Sequence, residues 1–320
     1  MLYSFVKIIA RLALPIYCRD LTINKKELLK HKGPLLLAVN HPNSFLDAII
    51  LCTLFDGTVY SLARGDAFKN KMAAKILTLF KMFPVYRVSE GVENMEENYK
   101  TFDLCKDIFK QNGIVLIFSE GRCINEWHLR PLKKGTARLA ISSWEDGIDL
   151  KVLPVAINYS SFKKFGKNIK LFFGDVISKE DIHYKDTHGN AIRQFNETLK
   201  VQLNKYVFEI DDNDKTALHQ TFYVRQGLIK RILLFVPALT GLLAHAPIFY
   251  LAKWLGNSLV KEDGHDDSKM IGFLFILYPL FLLLLSVAVF LYTGSWLSFF
   301  LIPVLPFTAW SYVQLKKQLD

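Results

Sequence analysis

From Met270 to Leu315 the chain carries no charged residue, and the run is interrupted only near Gly294–Ser295. Each half is about the ~20 residues a membrane-spanning helix requires, so the run reads as a helical hairpin in a bilayer. The alternative, a pair of uniformly apolar core helices in a soluble protein, needs the same rare pattern twice. A further apolar block lies between Arg231 and Lys253 and contains Pro237, Gly241, His245 and Pro247. Basic residues flank these blocks: Arg225, Lys230 and Arg231 before the first, Lys253, Lys261 and Lys269 before the hairpin, and Lys316 and Lys317 after it. Basic residues favour the cytoplasmic face. Three full spans would split the clusters between the two sides. The expectation is therefore spans at 271–292 and 296–314, a re-entrant or interfacial segment at 231–252, and an N-terminal domain facing the cytoplasm.

Net charge is +10 with 51% apolar residues, a balance that suits anionic lipid surfaces better than nucleic acid. Basic and aromatic residues do not interleave as in nucleic-acid-binding modules. Cys18, Cys52, Cys105 and Cys123 form no C-x-x-C pair and show no zinc-like spacing, which leaves four reduced thiols and no metal site. In residues 1–17, Lys7 and Arg11 interrupt the apolar residues and no small-residue cleavage site follows, so no cleavable leader is expected. Leu2, Phe5, Val6, Ile9 and Leu12 recur three or four apart, and residues 1–20 read as an interfacial amphipathic helix.

Between these regions, apolar runs alternate with longer amphipathic stretches. Pro34–Asn40, Thr58–Ala63, Phe83–Tyr86, Ile114–Phe118, Val152–Asn158 and Ile169–Phe173 are candidate strands, several without the alternation of half-exposed strands. Val92–Gln111, Lys133–Trp144 and Asn190–Phe208 are candidate helices. The expected fold is α/β, a mixed sheet flanked by helices, over residues 21–212. The polar stretch Glu209–Lys215 marks its boundary with a membrane region over 213–320.

The sequence Val39-Asn40-His41-Pro42-Asn43-Ser44-Phe45-Leu46-Asp47 falls where a buried strand ends and a helix begins. A general base and its orienting carboxylate six residues apart can meet only if His41 lies in the loop and Asp47 in the first turns of the helix. The alternative is a helix-capping histidine beside a surface aspartate. Arg64-Gly65-Asp66, Phe83-Pro84-Val85-Tyr86-Arg87 and Phe118-Ser119-Glu120-Gly121-Arg122 follow candidate strand ends, where α/β folds gather ligand groups. Arg64, Arg87, Arg122 and Lys134 are candidate phosphate ligands. Taken singly, each is otherwise a solvated charge.

In this order and spacing, over about residues 30–175, the segments resemble the glycerolipid (lysophospholipid) acyltransferase superfamily. By that resemblance His41 and Asp47 fill the catalytic block, and Arg87 belongs to the block that binds the acceptor phosphate. Glu120 and Gly121 belong to the third block, which helps form the acceptor site, and Pro154 to the block associated with the acyl-donor side. The spacing is H-x5-D rather than the usual H-x4-D, as in yeast-type glycerol-3-phosphate and dihydroxyacetone-phosphate acyltransferases. Those resemble this chain also in the Pro131-Leu132-Lys133-Lys134-Gly135 segment and in their C-terminal apolar segments. The third block reads FSEGRC rather than FPEGTRS, which shifts Arg122 by one place.

The resemblance implies direct acyl transfer from acyl-CoA or acyl-carrier protein to glycerol 3-phosphate or its 1-acyl derivative, with no bound cofactor and with membrane lipid as partner. A lyso-aminolipid acceptor, or a non-catalytic membrane scaffold, are the other readings. No G-x-S-x-G, G-x-x-x-x-G-K or Rossmann fingerprint is present. Asp263-Gly264-His265-Asp266-Asp267 reads as a solvated loop, and His245 as a headgroup contact or a buried neutral imidazole. Donor identity, chain length, the position acylated and oligomeric state are not encoded in local pattern.

Overall fold

The computed structural model describes residues 2–86, 95–185, 187–259 and 266–319. Ten α-helices are described: α1 (Leu2–Tyr17), α2 (Phe45–Leu54), α3 (Lys71–Leu79), α4 (Met95–Lys110), α5 (Lys134–Glu145), α6 (His188–Asn204), α7 (Lys215–Phe222), α8 (Leu228–Leu259), α9 (Asp266–Thr293) and α10 (Leu301–Leu315). Seven strands are described: β1 (Cys18–Ile23), β2 (Leu35–Val39), β3 (Val59–Arg64), β4 (Met82–Val85), β5 (Ile114–Phe118), β6 (Lys151–Tyr159) and β7 (Lys167–Phe173). The chain divides into two compact units. One comprises 1–11, 22–158 and 170–212, the other 12–21, 159–169 and 213–320. The boundaries therefore fall inside α1, β1, β6 and β7.

The sheet runs β1-β7-β6-β2-β5-β3-β4, and β6, β2, β5, β3 and β4 are mutually parallel. All five residues of β2 are buried, because β2 lies between β5 and β6 and has helices over it, the environment that favours an unbroken apolar run. One sheet face, including Leu36, Ala38, Val115, Ile117, Val152 and Ala156, forms a single core with α4, α5 and α6. On the opposite face Leu35, Leu37 and Val39 are equally buried. Lys7 and Arg11 of α1 donate to carbonyls of Gly57 and Thr53 at 2.6 and 2.8 Å, around the C-terminal end of α2, where cations satisfy orphan carbonyls. The mixed sheet flanked by helices is the architecture expected from the sequence. Neither β1 nor α3 was anticipated. The helix expected at Val92–Gln111 is described from Met95, and residues 92–94 lie outside the described residues.

In the second unit α8, α9 and the segment Trp296–Leu315 are each long and apolar enough to cross a membrane. The segment expected to be re-entrant or interfacial around Pro237 and Pro247 lies in α8, which is one helix through both prolines. A β-carbon on Gly241 would overlap the Thr308 carbonyl, so α8 and α10 pack at backbone distance, as small residues permit. His245 is bonded at both ring nitrogens, Nδ1 to the Gly241 carbonyl at 2.8 Å and Nε2 to the Tyr278 hydroxyl at 3.0 Å. Arg19 donates to the carbonyls of Val313 at 3.0 Å and Lys316 at 2.6 Å, and so caps α10.

One expectation is corrected here. Residues 263–265 lie outside the described residues, but Asp267 is not a solvated loop residue. It is 2% exposed, ion-paired with the buried Lys167, and accepts from the Tyr17 hydroxyl at 2.6 Å. The Lys167 ammonium also lies 5.7 and 5.3 Å from the Tyr17 and Tyr159 ring centres. A buried cation this far from water needs such partners.

Candidate active site

The parallel strands deliver their C-terminal ends to one edge of the sheet, and His41, Arg64, Glu120, Gly121 and Arg122 follow those ends. At the end of β2, the Asn40 side chain takes over the ladder. Its Nδ2 donates to the Ile157 carbonyl at 3.1 Å and its Oδ1 accepts from the Ile157 amide at 2.8 Å. The backbone is thereby freed to turn away, and His41 is the first residue of the turn. Ser44, at φ 56°, closes the loop before α2 begins at Phe45. Such a φ is costly for a non-glycine residue. Asp47 stands in the first turn of α2.

His41 Nδ1 and Asp47 Oδ2 are 2.9 Å apart. The same oxygen accepts from the Asn43 amide at 2.9 Å, so a single carboxylate fixes both the ring and the loop. Asp47 is fully buried, while the His41 side chain keeps 17% of its surface open. As a carboxylate can only accept, Nδ1 carries the proton and Nε2 presents a lone pair. The imidazole lies flat on Phe118, with ring centres 3.7 Å apart and planes at 10°.

Glu120, just beyond β5, braces this loop. Its two carboxylate oxygens accept from the backbone amides of His41 at 3.1 Å and Arg130 at 3.2 Å. Burial pushes its carboxyl up to about 7, against the opposing pull of those two amides. The folded form thus holds the proton more tightly than the unfolded chain. Its stabilising effect is complete below about pH 4.5 and is lost as pH rises through about 7. Glu120→Gln cannot ionise. The stability of the wild type relative to this variant should therefore decline across that window in detergent melts. A constant difference would show that Glu120 is not the titrating group.

Two more residues beyond β5 reach the turn that carries His41. Cys123 Sγ accepts from the Ser44 amide at 2.9 Å, and Asn125 Nδ2 donates to the Pro42 carbonyl at 2.7 Å. Burial pushes the Cys123 thiol up to about 12, which keeps it an inert neutral acceptor. Neither residue, nor Phe118, was singled out from sequence. The signal needed was the adjacency of β2 and β5, which places Val39 opposite Phe118.

The other candidates are less uniformly placed. Arg64, exposed at the end of β3, is held by both oxygens of Asp66, so an anion there must compete with a carboxylate. Arg122 is exposed and enters no ion pair among the described residues. Gly121 has φ 65°, and its open α-carbon faces the stem of Lys133. Lys134 is exposed at the start of α5, so Lys133 rather than Lys134 lines this turn. Pro154 is buried within β6 opposite Ala38, inside the sheet rather than at its edge. Arg87 lies outside the described residues. No cluster of three or more potential metal ligands occurs among the described residues.

Residues 20–158 match the protein family described as Acyltransferase. Over 117 residues, 34% of this chain, the sequence is 27% identical to glycerol-3-phosphate O-acyltransferase 1 of Saccharomyces cerevisiae. That match spans only 15% of the yeast enzyme's length. The crystal structure of the 1-acyl-sn-glycerophosphate acyltransferase of Thermotoga maritima aligns with 66% of this chain and 81% of its own, with a TM-score of 0.45 and 13% identity.

Proposed function

Because residues 20–158 match the Acyltransferase family, we propose that this protein transfers a fatty acyl group from an acyl thioester to a hydroxyl of glycerol 3-phosphate or its 1-acyl derivative. The observation that carries this reading is the 2.9 Å contact between His41 Nδ1 and the buried Asp47 carboxylate. Nε2 of His41 takes the proton of the acceptor hydroxyl as its oxygen attacks the thioester carbonyl. Asp47 stabilises the imidazolium, the C–S bond breaks, and the imidazolium returns the proton to the departing thiolate. No acyl-enzyme is required. Acyl-CoA or acyl-carrier protein supplies the acyl group.

The test is acyl transfer by purified protein across a panel of acceptors, with products identified by mass spectrometry. Arg87→Ala sharpens it. Charge-assisted hydrogen bonds to a phosphate contribute roughly 1.5–3 kcal/mol, so the acceptor KM should rise about 10- to 150-fold. A lyso-aminolipid acceptor would leave KM nearly unchanged.

Our reading of the membrane region retains two spans, at 271–292 and 296–314, with 231–252 re-entrant or interfacial. Its support is the distribution of the basic residues. The basic clusters then stay cytoplasmic together with the catalytic domain. Cysteine labelling from either face of sealed vesicles should find residue 320 and a site such as Lys200 on the same side. Opposite sides would mean a third span.

A further inference from the structure

Helix α3 contains no buried residue. Met72, Ile76 and Leu79 are 73, 48 and 48% exposed, although a short helix usually earns its stability by burying such a stripe. At about 100° per residue, these three project within one narrow sector. Lys71 and Lys75 project to one side of it, and Ala73 and Leu77, which are half-buried, to the side turned toward the fold. Lys69 precedes the helix, and α3 carries no acidic residue. The helix is nevertheless deliberately started, since Asn70 accepts from the amides of Met72 and Ala73 at 2.8 and 3.2 Å.

The geometry points to α3 as a lipid-contact helix, docking its Met72–Ile76–Leu79 stripe into the headgroup boundary of an anionic bilayer. An apolar stripe edged by lysines on one side is the pattern of helices that lie in the membrane interface. The lysine stems reach the headgroups while the apolar side chains enter the acyl region. A second observation supports a bilayer over a protein partner. In the same unit Leu2, Phe5 and Ile8 of α1 are also exposed, and Tyr3 reaches the Val59 carbonyl at the start of β3. The Lys81 carbonyl, two residues beyond α3, accepts from Ser61 of the same strand at 3.0 Å. Tyr3 of α1 and the turn that follows α3 therefore reach residues 59 and 61 of one strand, about 7 Å apart. Because α3 leaves the end of β3 that carries Arg64, docking would bring the catalytic edge close to the lipid that holds acyl chains.

The test uses the full chain in nanodiscs of phosphatidylcholine and phosphatidylglycerol, with benzoylphenylalanine incorporated singly at Met72, Ile76 or, as a control, the exposed Lys200 of α6. After irradiation, mass spectrometry should find lipid adducts at positions 72 and 76 and none at 200. Yield at 76 should fall several-fold when phosphatidylcholine is the sole lipid. Chain-to-chain adducts at 72 and 76 would assign the stripe to a second copy and overturn the proposal, as would the absence of adducts at both. Equal yield without anionic lipid would overturn the part given to Lys71 and Lys75. The readout is independent of acyl transfer, so the inference and the proposed activity can fail separately.

Discussion

Replacing His41 with alanine should lower kcat by roughly 10²–10⁴-fold, the usual contribution of a positioned general base, while the melting temperature in detergent changes little. The ring lies flat on Phe118 and is still partly open, so its removal leaves no sealed cavity. The loop also retains its other restraints, since Asp47 still accepts from the Asn43 amide and Glu120 from the amide of residue 41. The loss should therefore fall on the chemical step, with the acceptor KM nearly unchanged. Added imidazole should restore part of the rate, because it fits the space vacated and supplies the same base. Asp47→Asn makes a useful comparison. It removes the charge that stabilises the imidazolium and weakens the tautomer preference, but it also disturbs the Asn43 amide, so both rate and stability should fall. Near-normal turnover by the His41 variant would remove the histidine from the mechanism.

The largest effect on stability is expected at Asp267. Substituting alanine leaves the Lys167 ammonium buried between two tyrosine rings without its carboxylate. Removing one partner of a buried ion pair costs about 3–5 kcal/mol. For a chain of this size that is a fall in melting temperature on the order of 10 °C. The double variant Lys167→Met with Asp267→Leu removes both charges and should recover most of that loss, since well-packed apolar replacements are often neutral. Melting curves of the single and double variants decide the matter. If the double variant is as unstable as the single, the side chains matter by their packing and not by their pairing.

How much was legible in the sequence varied with how local each signal was. β2, β5 and most of β6 were readable because central parallel strands are apolar on both faces. β1 was not, because Arg19 and Asp20 break its pattern, and the reason for Arg19 is a capping role toward α10. α3 was hidden because its apolar residues point outward and add nothing to a core. His41 and Asp47 are six residues apart, and the strand-loop-helix pattern around them was sufficient to bring them together. The supports of that pair were not readable, since Glu120, Cys123 and Asn125 reach it only through the pairing of β2 with β5. Asp267 was misread for the same reason. A cluster of acids between apolar blocks is usually solvated, and its cation lies 100 residues earlier.

The guanidinium of Arg19 emerges early from the ribosome, yet the carbonyl it serves is 294 residues further along. Contacts so remote in sequence form last and slowly. The contacts of Arg19 with Val313 and Lys316 cannot form until α10 has been synthesised, and the same order holds for Lys167 and Asp267. A chain cut after residue 212 would thus carry Arg19 and Lys167 without these partners.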